Sequence, residues 1–355
     1  MTKWFKMANL TRIAYYTRKA VVWGAIAIVC FFILKSFVDF GFNQWQKTHP
    51  SPTPAPNVLF GKLSKIKFPS SDYPYPQNFV LETVGGELPE ASSSAKVYQI
   101  AKKLPSLLAP RHAQEFANRL GFTNPPISKT PTKYTFENPK NPLQTLDLDI
   151  VNFNFTLQYQ FMLNRGVFDE RNLPYPDQAK EEAIRFFQET GNFPADLQNG
   201  KQEVSFLKFT GQKLITTTSL SRAQAVRVDF FRSDVDTFSL LEPEFKKSSV
   251  FIVFSGSKIR EERIVLAQFN YFEVNYQTPA TYSIKTSQQA WEELKAGKAF
   301  IAQWLEGKKK VVIRKVYLAY LDLPGDQNFL QPIFVFEGDN DFIAYLPAVK
   351  DEWLE

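Results

Sequence analysis

"VNFNFTLQYQF", residues 151–161, alternates without a break: Val151, Phe153, Phe155, Leu157, Tyr159 and Phe161 fall on one side, Asn152, Asn154, Thr156, Gln158 and Gln160 on the other. A period of two is the repeat of a pleated strand, whose successive side chains point to opposite faces. One apolar and one polar face is the pattern of an antiparallel sheet, since parallel strands are covered on both sides. The stretch therefore predicts antiparallel sheet, and the segments around it supply helices.

Upstream, "SSSAKVYQIAKKLPSLLAPRHAQEFANRLGF" (92–122) places Val97, Ile100, Ala101, Leu104 and Leu108 at helical spacing behind a serine cap. Pro105 should split this helix, and a second short one should end at Gly121. Downstream, "PDQAKEEAIRFFQETGNFP" (176–194) carries Ala179, Ala183, Phe186 and Phe187 on one face and stops at Gly191. A third helix should start from Thr286 with Gln289 in capping-box register, run through Ala290, Trp291 and Leu294, and end at Gly297. Short strands are predicted in 58–68 and 78–86. The stretch 308–349, cut by loop signals at 323–328 and 338–341, reads as a three-stranded meander. Helices alternating with antiparallel hairpins give an α+β class, with three helix-then-strands units as the best repeat reading.

The amino terminus is of another kind. "KAVVWGAIAIVCFFILKSFVDF" (19–40) has an uncharged core, Ala20 to Leu34, of fifteen residues. A hydrocarbon layer needs roughly 20 helical residues, and flanking Phe37, Val38, Phe40 and Phe42 extend the stretch to a span over 20–42. Tyr15, Tyr16 and Trp45 are placed as interfacial anchors. Bulky residues stand where signal peptidase needs small ones, so an uncleaved signal anchor is expected. Lys3, Lys6, Arg12, Arg18 and Lys19 precede the span, and no acid appears before Asp39. That asymmetry puts the tail, 1–19, in the cytoplasm and the rest outside the cell membrane, single-pass. "HPSPTPAPN" (49–57) is an extended spacer within 43–57. Length suggests two extracytoplasmic α+β domains, 58–172 and 173–355.

The net charge is +6, but five basic residues lie in the first nineteen; without them 37 basic residues face 36 acids. A nearly neutral body gives no nucleic-acid signature. The one cysteine, Cys30, falls in the span, so no disulfide can form in the body. The 34 Phe and 14 Tyr suit sheet.

Chemistry is sparse. His49 lies in the spacer and His112 at a helix start, with no nucleophile motif beside it. Three acid pairs deserve a hearing for glycoside hydrolysis or cation binding, Asp147 with Asp149, Asp234 with Asp236 and Asp339 with Asp341; solvated edges and turns are the plainer reading of each. "FSGSK" (254–258) lacks phosphate-loop spacing, "GKKKVVIRK" (307–315) reads as a lysine-protected sheet edge, and Asn154 formally matches a glycosylation acceptor in mid-strand. No catalytic, cofactor-binding or metal residue is assigned, and no cofactor is expected.

A helix "QQAWEELKAGKAFI" (288–301), a strand "IRKVYLAYLD" (313–322) and "LQPIFVFEGDNDFIAYLPAV" (330–349) resemble the carboxy-terminal part of YycH/YycI-type regulators, whose folds are related to PepSY domains. The resemblance covers Ala290 to Val349 and the layout of one amino-terminal span before α+β modules. It implies a non-enzymatic regulator of a two-component system that acts by protein contact on a membrane sensor kinase. The partners expected are the lipid bilayer and a membrane or envelope protein. The alternatives are a cell-surface binding or envelope-assembly module tethered by its span, and an exported hydrolase.

Overall fold

A computed structural model describes residues 18, 19, 21, 23, 24, 31, 35, 56–83, 85–304, 310–325 and 327–355. Most of the tail, of the expected span and of the spacer lies outside the described residues. Among those described, no helix is long and apolar enough to cross a membrane. The chain divides into two compact units, Met1–Pro54 and Ala55–Glu355, and the second carries the architecture.

That unit is mixed α+β on two sheets. The first has nine strands, all antiparallel, in the order β3-β4-β5-β6-β12-β11-β9-β7-β8. These are β3 (Ile127–Thr130), β4 (Lys133–Glu137), β5 (Gln144–Asp149), β6 (Phe155–Tyr159), β7 (Gln202–Phe209), β8 (Leu214–Thr217), β9 (Ala225–Phe230), β11 (Val250–Ser255) and β12 (Ile264–Phe269). The second, eight-stranded sheet takes β1 (Asn78–Leu81), β2 (Ser94–Ile100), β10 (Leu240–Leu241), β13 (Val274–Ser283), β14 (Phe300–Gln303), β15 (Lys310–Leu321), β16 (Phe329–Gly338) and β17 (Phe342–Pro347). The nine-stranded sheet is thus an insertion between β2 and β13, which pair with each other. The boundary expected at 172/173 falls between β6 and β7, both in the inserted sheet.

The alternation at 151–161 yields a strand only from Phe155 to Tyr159, with Phe155, Leu157 and Tyr159 buried. Its first residues form the hairpin turn after β5. Asp149 Oδ1 accepts the N–H groups of Val151 (2.9 Å) and Asn152 (3.2 Å), and Phe153 takes φ 62°. Val151 and Phe153 still pack on the core, which is why the apolar rhythm runs on through a bend.

A larger correction concerns 92–108. The expected helix from Val97 is instead strand β2, pairing Ala95 with Tyr282 and Val97 with Ala280. Val97, Tyr98 and Ile100 are buried, whereas Leu104 and Leu108, required on a buried helical face, are 86% and 56% exposed. The segment 58–68 forms no strand. It runs as an extended chain with one bridge, Leu63 to Leu354, and Leu63 is fully buried. Nor is β15 a free edge at its lysines: β1 pairs parallel with Lys310–Ile313.

The helices end where local signals place them. α1 (Ala109–Arg119) is followed by Gly121 at φ 92°, and α2 (Pro176–Glu189) by Gly191 at φ 76°, left-handed positions that glycine adopts without strain. α3 (Ala195–Gln198) and α4 (Arg260–Arg263) are single turns. α5 (Ser287–Lys295) has the expected box: Thr286 Oγ1 accepts Gln289 N–H at 3.1 Å and Gln289 Oε1 accepts Thr286 N–H at 2.9 Å. Through Ala113, Phe116, Ala183 and Phe187, α1 and α2 cover one face of the nine-stranded sheet at Phe155, Ile252 and Phe269. Trp291 and Leu294 of α5 pack on Phe336 and Phe342 of the other sheet.

Candidate functional site

Between β9 and β11 the chain leaves the nine-stranded sheet, adds the two residues of β10 to β15, and returns. This strap, residues 231–249, ties the two sheets together. Leu240 and Leu241 pair with Tyr320 and Leu321, and Tyr320 N–H donates to Ser239 O at 2.9 Å. Its outer turn is closed by Val235 and Phe238, which exchange two 2.9 Å backbone bonds. Asp236 and Thr237 both take positive φ, 51° and 73°, the geometry of a tight hairpin turn with left-handed central residues. At the strap's base Ser248 N–H donates to Asp229 (2.8 Å) and Ser248 Oγ to Phe230 O (2.6 Å).

One end of the strap is fixed by Arg232, whose side chain is 5% exposed. A guanidinium carries five N–H groups, and the contacts here engage them all. Nε donates to Asp196 at 2.8 Å. Nη1 reaches Phe272 O at 3.1 Å and Asp322 at 3.3 Å, and Nη2 reaches Tyr276 OH at 3.1 Å and Tyr271 OH at 3.4 Å. The acceptors come from α3, from the β12–β13 link, from β13 and from the end of β15. Gly200 permits the close approach of α3: a Cβ there would stand 1.8 Å from Phe231 O. Burial opposes the charge on Arg232, and Asp322, the two tyrosines and Asp196 outweigh it, so its pKa lies above the ordinary value. Asp196 holds the shorter contact, and burial raises the carboxyl of Asp322. Burial likewise pushes the Tyr276 hydroxyl up to about 12.

The other end is fixed by Glu242. Its Oε1 accepts Ser249 N–H at 2.7 Å and, at 3.1 Å, shares the single Ser248 hydroxyl proton with the closer Phe230 O, while Oε2 bonds Ser249 Oγ. Burial, helped by the nearby Asp322 charge and opposed by these serine bonds, pushes the carboxyl up to about 7. A neutral carboxyl suits this setting, since one oxygen can accept twice while the other donates to a hydroxyl.

Glu242 and Ser249 border a cleft of about 600 Å³, a size ordinary for ligand sites. The nine-stranded sheet contributes Arg227, Phe251 and Gln268 to its walls, and the opposite side contributes Lys67 and Leu323. Arg227 lies 3.6 Å over the Phe251 ring and holds Asp229 with two bonds of 2.8 and 2.6 Å. The cleft thus offers a stacked cation, an amide, a carboxyl able to change charge near neutrality, and an apolar shelf. That is a set for binding and positioning.

The acid pairs read from sequence are engaged separately. Asp147 bonds Lys129 Nζ at 2.8 Å and Thr135 Oγ1, and Asp149 caps its turn. Asp236 takes Lys96 Nζ at 2.8 Å and the Tyr98 hydroxyl, which hold its carboxyl below the usual range. Asp234 precedes it on the strap. Asp339 holds Arg314 with bonds of 2.9 and 2.8 Å, and Asp341 sits at φ 54° in the following turn. Ser255 and Ser257 of "FSGSK" both donate to Glu262. Asn154 donates to Asn270 and accepts Tyr271 N–H, so its amide is committed to the fold. His112 stands exposed on α1. Among the described residues no group of three or more His, Cys, Asp or Glu side chains could hold a metal ion. Sequence reasoning missed Arg232 and Glu242; the only local signal was a single charge directly after an apolar pair, "FFR" and "LLE".

No family model matches the chain, and no curated protein matches it. Among solved structures it is similar to an uncharacterized protein from Eubacterium rectale ATCC 33656. The two are 12% identical, the match covers 73% of this chain and 84% of that one, and the TM-score is 0.40.

Proposed function

We propose that the protein is a membrane-anchored, extracytoplasmic regulatory or sensing protein of the cell envelope, non-enzymatic, that acts by protein–protein contact in the manner of YycH/YycI-type regulators of two-component systems. The amino-terminal apolar stretch and its basic flank support the anchor, as does the 64–67% exposure of the helical residues Val21, Trp23 and Phe31, side chains suited to lipid. The observation that carries the regulatory reading is the strap. One segment links both sheets through ionisable anchors and opens on a cleft walled by the nine-stranded sheet on one side and by Lys67 and the β15–β16 loop on the other, so an occupant of the cleft contacts the sheet and that loop at once. A ligand or partner that binds one arrangement of the halves better than another shifts the population between them.

The test uses intact cells making the full chain. Added protease should digest the body beyond residue 56, and a photocrosslinker at Lys67, on the cleft rim, should capture a membrane or envelope protein. Replacing residues 20–42 with an unrelated span should change signalling output. A body spared by protease, mature protein that begins after residue 42, or unchanged signalling after the span swap each overturns the reading.

A further inference from the structure

On the helix-covered face of the nine-stranded sheet lies a second, larger cavity of about 760 Å³. It is bounded by the end of α1, the outer side of α2, the β4–β5 turn and α4. Its accessible floor is apolar: half-buried Leu120, Phe186 and Ile264 line it, above Leu157 and Phe254 of the sheet, which are buried in the core beneath. Gln144, also on the floor, spends its carbonyl on Asn138 Nδ2 at 2.6 Å, so its amide N–H groups are the donors it has left.

The rim is cationic. Six basic side chains, Arg119, Lys140, Arg185, Lys258, Arg260 and Arg263, line the groove against three acids, Glu182, Glu189 and Glu261. Structural duties absorb two of the cations. Arg119 donates to Thr190 O at 3.0 Å, and Arg263 grips Glu182 with two 3.0 Å bonds. Lys140, Arg185, Lys258 and Arg260 are exposed and make no ion pair among the described residues. In a body whose net charge is close to zero, four such cations around one apolar floor, against the two acids Glu189 and Glu261 that likewise make no ion pair among the described residues, leave the rim with a local excess of positive charge. Like charges in one rim raise the energy of the empty state, and an anionic occupant relieves that repulsion.

We propose that this groove is a binding site for a short acidic peptide segment of a partner protein, with an aliphatic or aromatic side chain seated on Leu120, Phe186 and Ile264 and carboxylates paired to Arg185, Lys258, Arg260 and Lys140. The apolar floor selects against a bare inorganic anion, and the arginines can take carboxylates with paired N–H bonds. The site is separate from the cleft beside Glu242 and does not depend on how the chain is anchored.

The test is selection of eight-residue peptides from a random display library on the full-length, detergent-solubilised chain. Anisotropy measurements then follow on the consensus peptide, on its Asn/Gln counterpart and on vesicles of anionic lipid. The expected result is a consensus enriched in Asp and Glu around one large apolar residue. It should bind about tenfold or more weakly to R185E/K258E, both sites being exposed, and as tightly as to wild type when the distant exposed Lys213 is reversed in K213E. The double variant should itself select basic peptides. A selection without acidic enrichment, equal binding of the neutral counterpart, or undiminished binding to R185E/K258E overturns the proposal. So does a library with no binder whose wild-type chain takes up anionic vesicles through the same two residues, an outcome that assigns the groove to lipid.

Discussion

Arg232→Met is expected to lower the unfolding free energy by about 3–5 kcal/mol, because it leaves buried acceptors without the cation that satisfies them. The substitution keeps side-chain volume but leaves the Asp196 carboxylate without its cation, held by the Tyr271 hydroxyl at 3.1 Å, and strands Asp322 beside Phe272 O. Arg232→Lys should recover only part of the loss, since an ammonium has three donors where the site presents five acceptors in a planar fork. Adding Asp196→Asn and Asp322→Asn to the methionine variant should recover more, by removing the charges left uncompensated. Urea unfolding at neutral pH reads all three. A loss below about 1 kcal/mol for Arg232→Met would show that water reaches the network and that the strap is not held from this end.

Glu242→Gln has the second large effect, and it is a pH dependence. The carboxyl's folded value, about 7, lies above its ordinary 4.5. Between those values the folded chain binds the proton more tightly than the unfolded chain does, so stability falls as pH rises through this window and the loss is complete above about pH 7. The full difference converts to about 3 kcal/mol. Because Glu242 borders an open cleft, water reduces this, and a decline of about 1–3 kcal/mol is expected. Gln keeps the two accepted bonds and donates to Ser249 Oγ as the neutral acid does, without titrating. Urea melts at several pH values from about 5 to about 8 should therefore show the wild type falling relative to Glu242→Gln, with the variant the more stable at the upper end. Parallel curves would place the carboxyl in ordinary solvent contact.

The legible parts of this fold were those written in short stretches. Gly121, Gly191 and Gly297 mark helix ends, and Thr286 with Gln289 marks a start, through bonds that span a few residues. The final meander was equally plain, since β15, β16 and β17 pair with their sequence neighbours. Strand β2 was not. Val97 and Ile100 stand three apart, a spacing that fits a helix as well as a strand with two buried faces, and the choice is made by β13, distant in sequence. The alternation at Val151–Phe161 marks an antiparallel strand but outruns it at both ends, because a turn whose apolar residues also pack inward keeps the rhythm of a strand. The site was the least legible feature. Arg232 meets Asp196, Tyr271, Tyr276 and Asp322, which come from separate segments, and no local pattern announces that they converge.

The insertion of one sheet between two paired strands also orders events during synthesis. Strands β3 to β9, β11 and β12, interrupted only by β10, form a block that leaves the ribosome before β13 exists to meet β2. Until then β2 and β1 are open edges awaiting strands that arrive last, a slow, long-range closure. The earliest strands of the body therefore depend on the latest for their completion, and a stop anywhere before the end of β16 leaves the eight-stranded sheet unmade.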